Sequence, residues 1–121
     1  MGKYPPAILN NMNFNDYQQK ATKTALYPRV DGHGWIYPAL GLANEAGEVT
    51  GKLKKVIRDN DGVIDEDRRK DISKELGDVL WYIAQLATEL DINLDDVAEA
   101  NIAKLSSRQD RGVLGGDGDN R

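Results

Sequence analysis

The chain has 121 residues, 40% apolar and 30% charged, which suits one folded domain with one core and not a disordered segment. It has no cysteine, which excludes a disulfide framework and a thiolate metal site; nothing in it has signal-peptide form or the apolar length of a membrane span, so a cytoplasmic protein is expected. A net charge of −4 and a pI near 4.9 argue against a general nucleic-acid surface, so a polyanion would have to be held locally, by metal ions or a few placed cations.

Pro5 and Pro6 oppose helix, and residues 1–13 read as an extended segment. Asn13, with Asp16 three residues on, has the form of a helix N-cap with an acidic N3. Phe14, Tyr17, Ala21 and Ala25 follow on one face at helical spacing. Pro28 disfavours helix in the residue before it, which predicts an end near Tyr27. Residues 28–37, with Gly32, Gly34, Trp35 and Tyr37, read as a loop. Pro38 suits the first turn of a second helix, whose apolar stripe is Leu42, Ala46, Val49, Leu53 and Val56. Asp59-Asn60-Asp61-Gly62 is a turn signal. A third helix is predicted from about Asp67 to Leu90, on Ile72, Leu76, Val79, Ile83, Leu86 and Leu90. Asn93 caps a fourth, with Asp96 at N3 and Leu94, Val97 and Leu105 on its inner face. Residues 112–121 are rich in glycine and read as a tail that is mobile, or ordered only by a partner or ligand. No β-type alternation competes. The expected fold is all-α, an up-and-down bundle of about four helices over residues 14–111.

The informative residues are two carboxylate pairs at i, i+3 spacing: Glu45 and Glu48 on the second helix, Glu75 and Asp78 on the third. Either pair alone is compatible with a solvated acidic face. Their register says more. With Leu42 set at zero on a helical wheel, Glu45 falls at ~300° and Glu48 at ~240°. With Ile72 at zero, Glu75 and Asp78 take the same ~300° and ~240°. In an antiparallel pair, equal offsets project to the same side of the shared seam, and the Asp-Gly turn favours that arrangement. Four carboxylates so placed repel one another and raise each other's pKa unless a cation neutralises them. Oxygen-only ligands point to a hard divalent ion, Mg²⁺ or Mn²⁺. The one histidine, His33, sits in the loop, which disfavours a di-iron bundle.

On the fourth helix Asn101, Lys104 and Arg108 share a face. They either complement the helix dipole and lie along the apolar stripe, or clamp phosphate oxygens beside the metal. Lys52, one turn beyond Glu48, either pairs with an acid or touches phosphate. Trp35 either stacks on a base or anchors its loop. The thin core of four short helices suggests self-association.

Glu45-Ala-Gly-Glu48, Glu75-Leu-Gly-Asp78 and Asn101-Ile102-Ala103-Lys104-Leu105 followed by Arg108, in that order over residues 14–112, resemble the MazG family of nucleotide pyrophosphohydrolases. The resemblance implies that Glu45, Glu48, Glu75 and Asp78 are Mg²⁺ ligands and that Asn101, Lys104 and Arg108 face a nucleoside triphosphate. It implies a homodimer or a dimer of dimers. Tyr82, one turn after Asp78, would contact the nucleoside, or else serve as a core or interface aromatic. Asn44 departs from the acidic residue common before the first motif glutamate, which leaves the number of metal ions open. The reaction implied is metal-assisted hydrolysis to a nucleoside monophosphate and pyrophosphate. Glu48 and Glu45 are its candidate catalytic residues, with Glu48 as proton acceptor. The alternative is a non-catalytic regulatory module that binds a nucleotide or a metal.

Overall fold

A computed structural model describes residues 11–121; Pro5, Pro6 and the rest of 1–10 lie outside the described residues. Four helices follow in order: α1 (Phe14–Thr22), α2 (Ile36–Asn60), α3 (Glu66–Glu89) and α4 (Leu94–Asp110). The described residues form no strand; Val30 and His33 make an isolated bridge. No helix among them is long and apolar enough to cross a membrane.

The caps follow the sequence closely. Asn13 Oδ1 accepts from the Asp16 amide at 2.8 Å, and the Asp16 carboxylate accepts in return from the Asn13 amide at 3.3 Å, completing a capping box. Asn93 caps α4 as expected and Asp65 caps α3 two residues before the expected start, each through a single bond, accepting from the amides of Asp96 and Arg68. Pro38 sits in the first turn of α2, where its missing N–H has no helical partner to lose. That helix ends at Asp61 and Gly62, both left-handed at φ 52° and 76°.

Helix α1 stops at Thr22, five residues short of the end expected near Tyr27. Tertiary contacts take over where the proline rule would still allow helix. The Trp81 indole donates to Thr24 Oγ1 at 3.0 Å. The Tyr27 hydroxyl donates to Glu89 Oε1 at 2.6 Å, and its ring stacks on Tyr37 at 5.6 Å.

The long helices α2 and α3 form an antiparallel pair, α1 packs on α3, and α4 packs on α1. Gln18 joins three elements: its amide nitrogen donates to Ile92 O at 2.9 Å and Thr88 Oγ1 at 3.1 Å, and its oxygen accepts from Leu94 N at 3.0 Å. The N-termini of α1 and α4 also exchange bonds, Phe14 N to Asp95 Oδ1 and Asp95 N to Asn15 Oδ1, both at 3.0 Å. Ala21, Ala84, Ala87 and Leu94 are buried at this junction, with Tyr17, Trp81 and Ile83 against them.

The all-α, four-helix expectation therefore holds, but one chain does not build a core shared by all four helices. Beyond Leu94 in its first turn, which packs against the end of α3, helix α4 has no substantial contact with α2 or α3. Of its expected inner face only Leu94 is buried; Val97 and Leu105 are exposed, as are Leu53, Leu76 and Leu90 of the longer stripes. The interhelix connection Leu90–Asn93 is short, and α4 is fastened at its first turn to α1, which directs it away from the α2–α3 seam.

Candidate metal centre

The α2–α3 seam brings Glu45, Glu75 and Asp78 together. Each offers a carboxylate oxygen, and these oxygens lie within 4.8 Å of one another. Helical spacing puts Glu75 and Asp78 one turn apart on α3, and the antiparallel pairing sets Glu45 of α2 opposite them. Glu48 does not join this trio. It is exposed, as Asp78 is, and its carboxylate stays outside the group although the two share one angular offset. Its charge still reaches Glu45.

The electrostatics would suit a cation. Desolvation pushes the Glu45 carboxyl above the ordinary glutamate range, and the charges of Asp78, Glu75 and Glu48 push it the same way. Lys52 pairs with Glu75, Nζ to Oε1 at 3.9 Å, so of the two roles expected for Lys52 the ion pair is the one seen. The donor set is three carboxylates with no sulfur or imidazole, which fits a hard divalent ion. Beyond Lys52 the seam continues into a cleft of about 340 Å³. Lys52, Lys55 and Arg68 line it together with Asp59, Asp67 and Asp71, so it offers a phosphate no net positive charge.

An aromatic wall borders the acids. Tyr82, one turn past Asp78, lies 6.4 Å from Tyr37 and edge-on to Trp81 at 5.0 Å between ring centroids. Tyr37 in turn stacks on Tyr27. Burial raises the Tyr82 hydroxyl pKa, with Tyr37, Glu45 and Asp78 adding to the shift. The ring of Tyr82 lies against the α2 backbone at Gly41, where an added Cβ would overlap it. Gly41, Tyr27 and Tyr37 were missed as site residues. A glycine in a helix interior, four residues before Glu45, was the available signal.

The remaining expected site residues lie elsewhere. Trp35 precedes the first turn of α2, 43% exposed, and its ring neighbour is His33 at 5.6 Å. Asn101, Lys104 and Arg108 are on α4, which does not lie along the acidic seam within one chain. Asn101 is exposed. Lys104 Nζ and Arg108 Nη2 both approach Asp119 Oδ1, at 3.6 and 3.5 Å. The Gly-rich tail is thus held by α4 of its own chain. Gln85 is fully buried with neither side-chain polar atom paired.

Comparison with known proteins agrees with this geometry. Residues 38–113 match the sequence model of the MazG nucleotide pyrophosphohydrolase domain. The chain is 49% identical over 114 residues to the Gene 37 protein of Mycobacterium phage L5, an alignment covering 91% of this chain and 100% of that protein. No solved structure gives a significant match. The matched span contains the acidic trio, Glu48, Tyr82 and the α4 cations, and with it the chain belongs to the MazG nucleotide pyrophosphohydrolase family.

Proposed function

We propose that the chain is a Mg²⁺-dependent nucleoside triphosphate pyrophosphohydrolase, cleaving its substrate to the nucleoside monophosphate and pyrophosphate. The observation that carries this reading is the convergence of Glu45, Glu75 and Asp78 from two antiparallel helices. Those three would hold the ion, with Mn²⁺ a possible substitute. When bound, it supplies Lewis-acid polarisation of phosphoryl oxygens and a lowered water pKa.

Each other part is carried by the chain. Glu48, outside the trio and in water, is free to accept a proton from the attacking water. Glu45, whose pKa its neighbours raise, would ionise as a ligand once the ion offsets their charge. Tyr82, Tyr37 and Tyr27 present an apolar wall beside the acids, suited to a nucleoside face. Lys104 and Arg108 would bind the pyrophosphate end, and Asn101 on the same face would donate or accept beside them. That role requires α4 to meet an acidic seam, and a second copy is the means we propose. Val97, Ile102 and Leu105 of α4 are 46%, 64% and 40% exposed, an apolar face that self-association into a homodimer or homotetramer would cover.

The test is product analysis by ³¹P NMR with Mg²⁺ and a panel of normal and modified triphosphates. Monophosphate and pyrophosphate should form in equal amounts, and Glu48→Gln should slow the reaction by about 10²- to 10⁴-fold. Pyrophosphate release from none of the panel would favour the non-catalytic module.

A further inference from the structure

The last described segment, 112–121, is fixed by a dense set of bonds. The Arg121 guanidinium donates to the carbonyls of Gly115 at 3.1 Å, Leu114 at 3.1 Å and Gly118 at 2.5 Å. Arg111 Nη2 donates to Arg121 O at 2.9 Å. Gly116 and Gly118 take left-handed φ values of 101° and 82°, which lets the segment wrap back on the end of α4. Beneath it Arg108 is only 5% exposed. Its Nη2 donates to the Asp119 main-chain oxygen at 2.7 Å and lies 3.5 Å from the Asp119 carboxylate, which Lys104 also approaches.

This seat is imperfect in a specific way. Arg108 Nε is buried and has no partner. A guanidinium presents Nε and Nη2 as a fork that matches two oxygens of one anion, and here only one prong is used. The Asp119 side chain is 87% exposed, and its single oxygen shared at 3.5–3.6 Å between two cations makes a weak, exchangeable contact. A phosphate brings several charged oxygens and can engage both prongs and Lys104.

We propose that Asp119 is a resident substitute for phosphate: segment 112–121 keeps Lys104 and Arg108 closed, and a polyphosphate chain opens it by displacing the Asp119 carboxylate. This rests on the reading that these two cations take phosphate. The segment then sets the affinity for substrate and for product pyrophosphate without contributing to the chemistry.

The experiment is calorimetric titration of the full chain with inorganic pyrophosphate and Mg²⁺, for wild type, Asp119→Asn, Arg121→Ala and Lys104→Ala. Displacement predicts that Asp119→Asn binds pyrophosphate about two- to fivefold more tightly. It predicts tighter binding by Arg121→Ala as well, because the segment is loosened. Charge alone predicts the opposite for Arg121→Ala, since a cation has been removed. Equal or weaker binding by Arg121→Ala overturns the inference. If Lys104→Ala weakens binding while the other two variants match wild type, the phosphate site stands and the gate falls. If Lys104→Ala binds as wild type does, or pyrophosphate binds to none of the proteins, the phosphate reading falls and takes the gate with it.

Discussion

Gly41 determines where Tyr82 can sit. The tyrosine ring occupies the space that a side chain at position 41 would fill, one helical turn before Glu45. Glycine in a helix interior costs about 1 kcal/mol relative to alanine, so on propensity alone Gly41→Ala should stabilise. Packing reverses the sign: an inserted methyl group against a fixed ring costs about 1–3 kcal/mol. We expect a net loss of stability in chemical denaturation and a displaced Tyr82 ring. A gain of about 1 kcal/mol would mean that the ring does not rest on this backbone. The sequence shows only a glycine in a helix interior; what fills its space depends on which α2 residue faces position 82, and only the helix pairing decides that. The trio of acids was legible, since its placement follows from angular register. Glu48 was grouped with the trio because register fixes only the side of the seam: Asp78 shares its offset and joins, and Glu48 does not.

At the scale of elements, the α2–α3 pair carries a like-charge cluster that works against its own packing. Burial and three neighbouring carboxylates raise the Glu45 pKa in the folded chain, so folding favours its protonated form. The stabilising contribution is therefore fully present below the ordinary glutamate range and is lost as pH rises through the raised value. In EDTA, the melting temperature of wild type relative to Glu45→Gln should fall as pH rises over that window, and Mg²⁺ should cancel the trend. A pH-independent difference between the two proteins would show that Glu45 does not feel its neighbours. The caps of α1 and α4 were readable because Asn13 and Asn93 act on amides three residues away, a local interaction; Asp65 caps α3 by the same rule and was not singled out. The end of α1 was not readable, because Thr24 and Tyr27 leave the helix for partners on α3 some sixty residues distant. The same holds for the tail: composition marks 112–121 as flexible, whereas Arg108, Arg111 and Arg121 tie it down through main-chain oxygens that no composition reveals.

For the whole molecule, the buried core is small and sits at the α1–α3–α4 junction, while the acidic seam lies along α2 and α3. Fold and candidate site are thus nearly separate: α1 and α4 hold the end of α3, and the seam is free to be electrostatically unfavourable. That separation predicts that removing an acid alters metal binding much more than folding. The direct measurement is calorimetric titration of Mn²⁺ into the metal-free protein and into Asp78→Asn. Saturable binding by wild type, weakened about tenfold or more in Asp78→Asn with its fold retained by circular dichroism, is the predicted result. Wild type that takes up no Mn²⁺ at millimolar concentration, or an Asp78→Asn protein that binds it equally well, would contradict a divalent-cation centre formed by Glu45, Glu75 and Asp78.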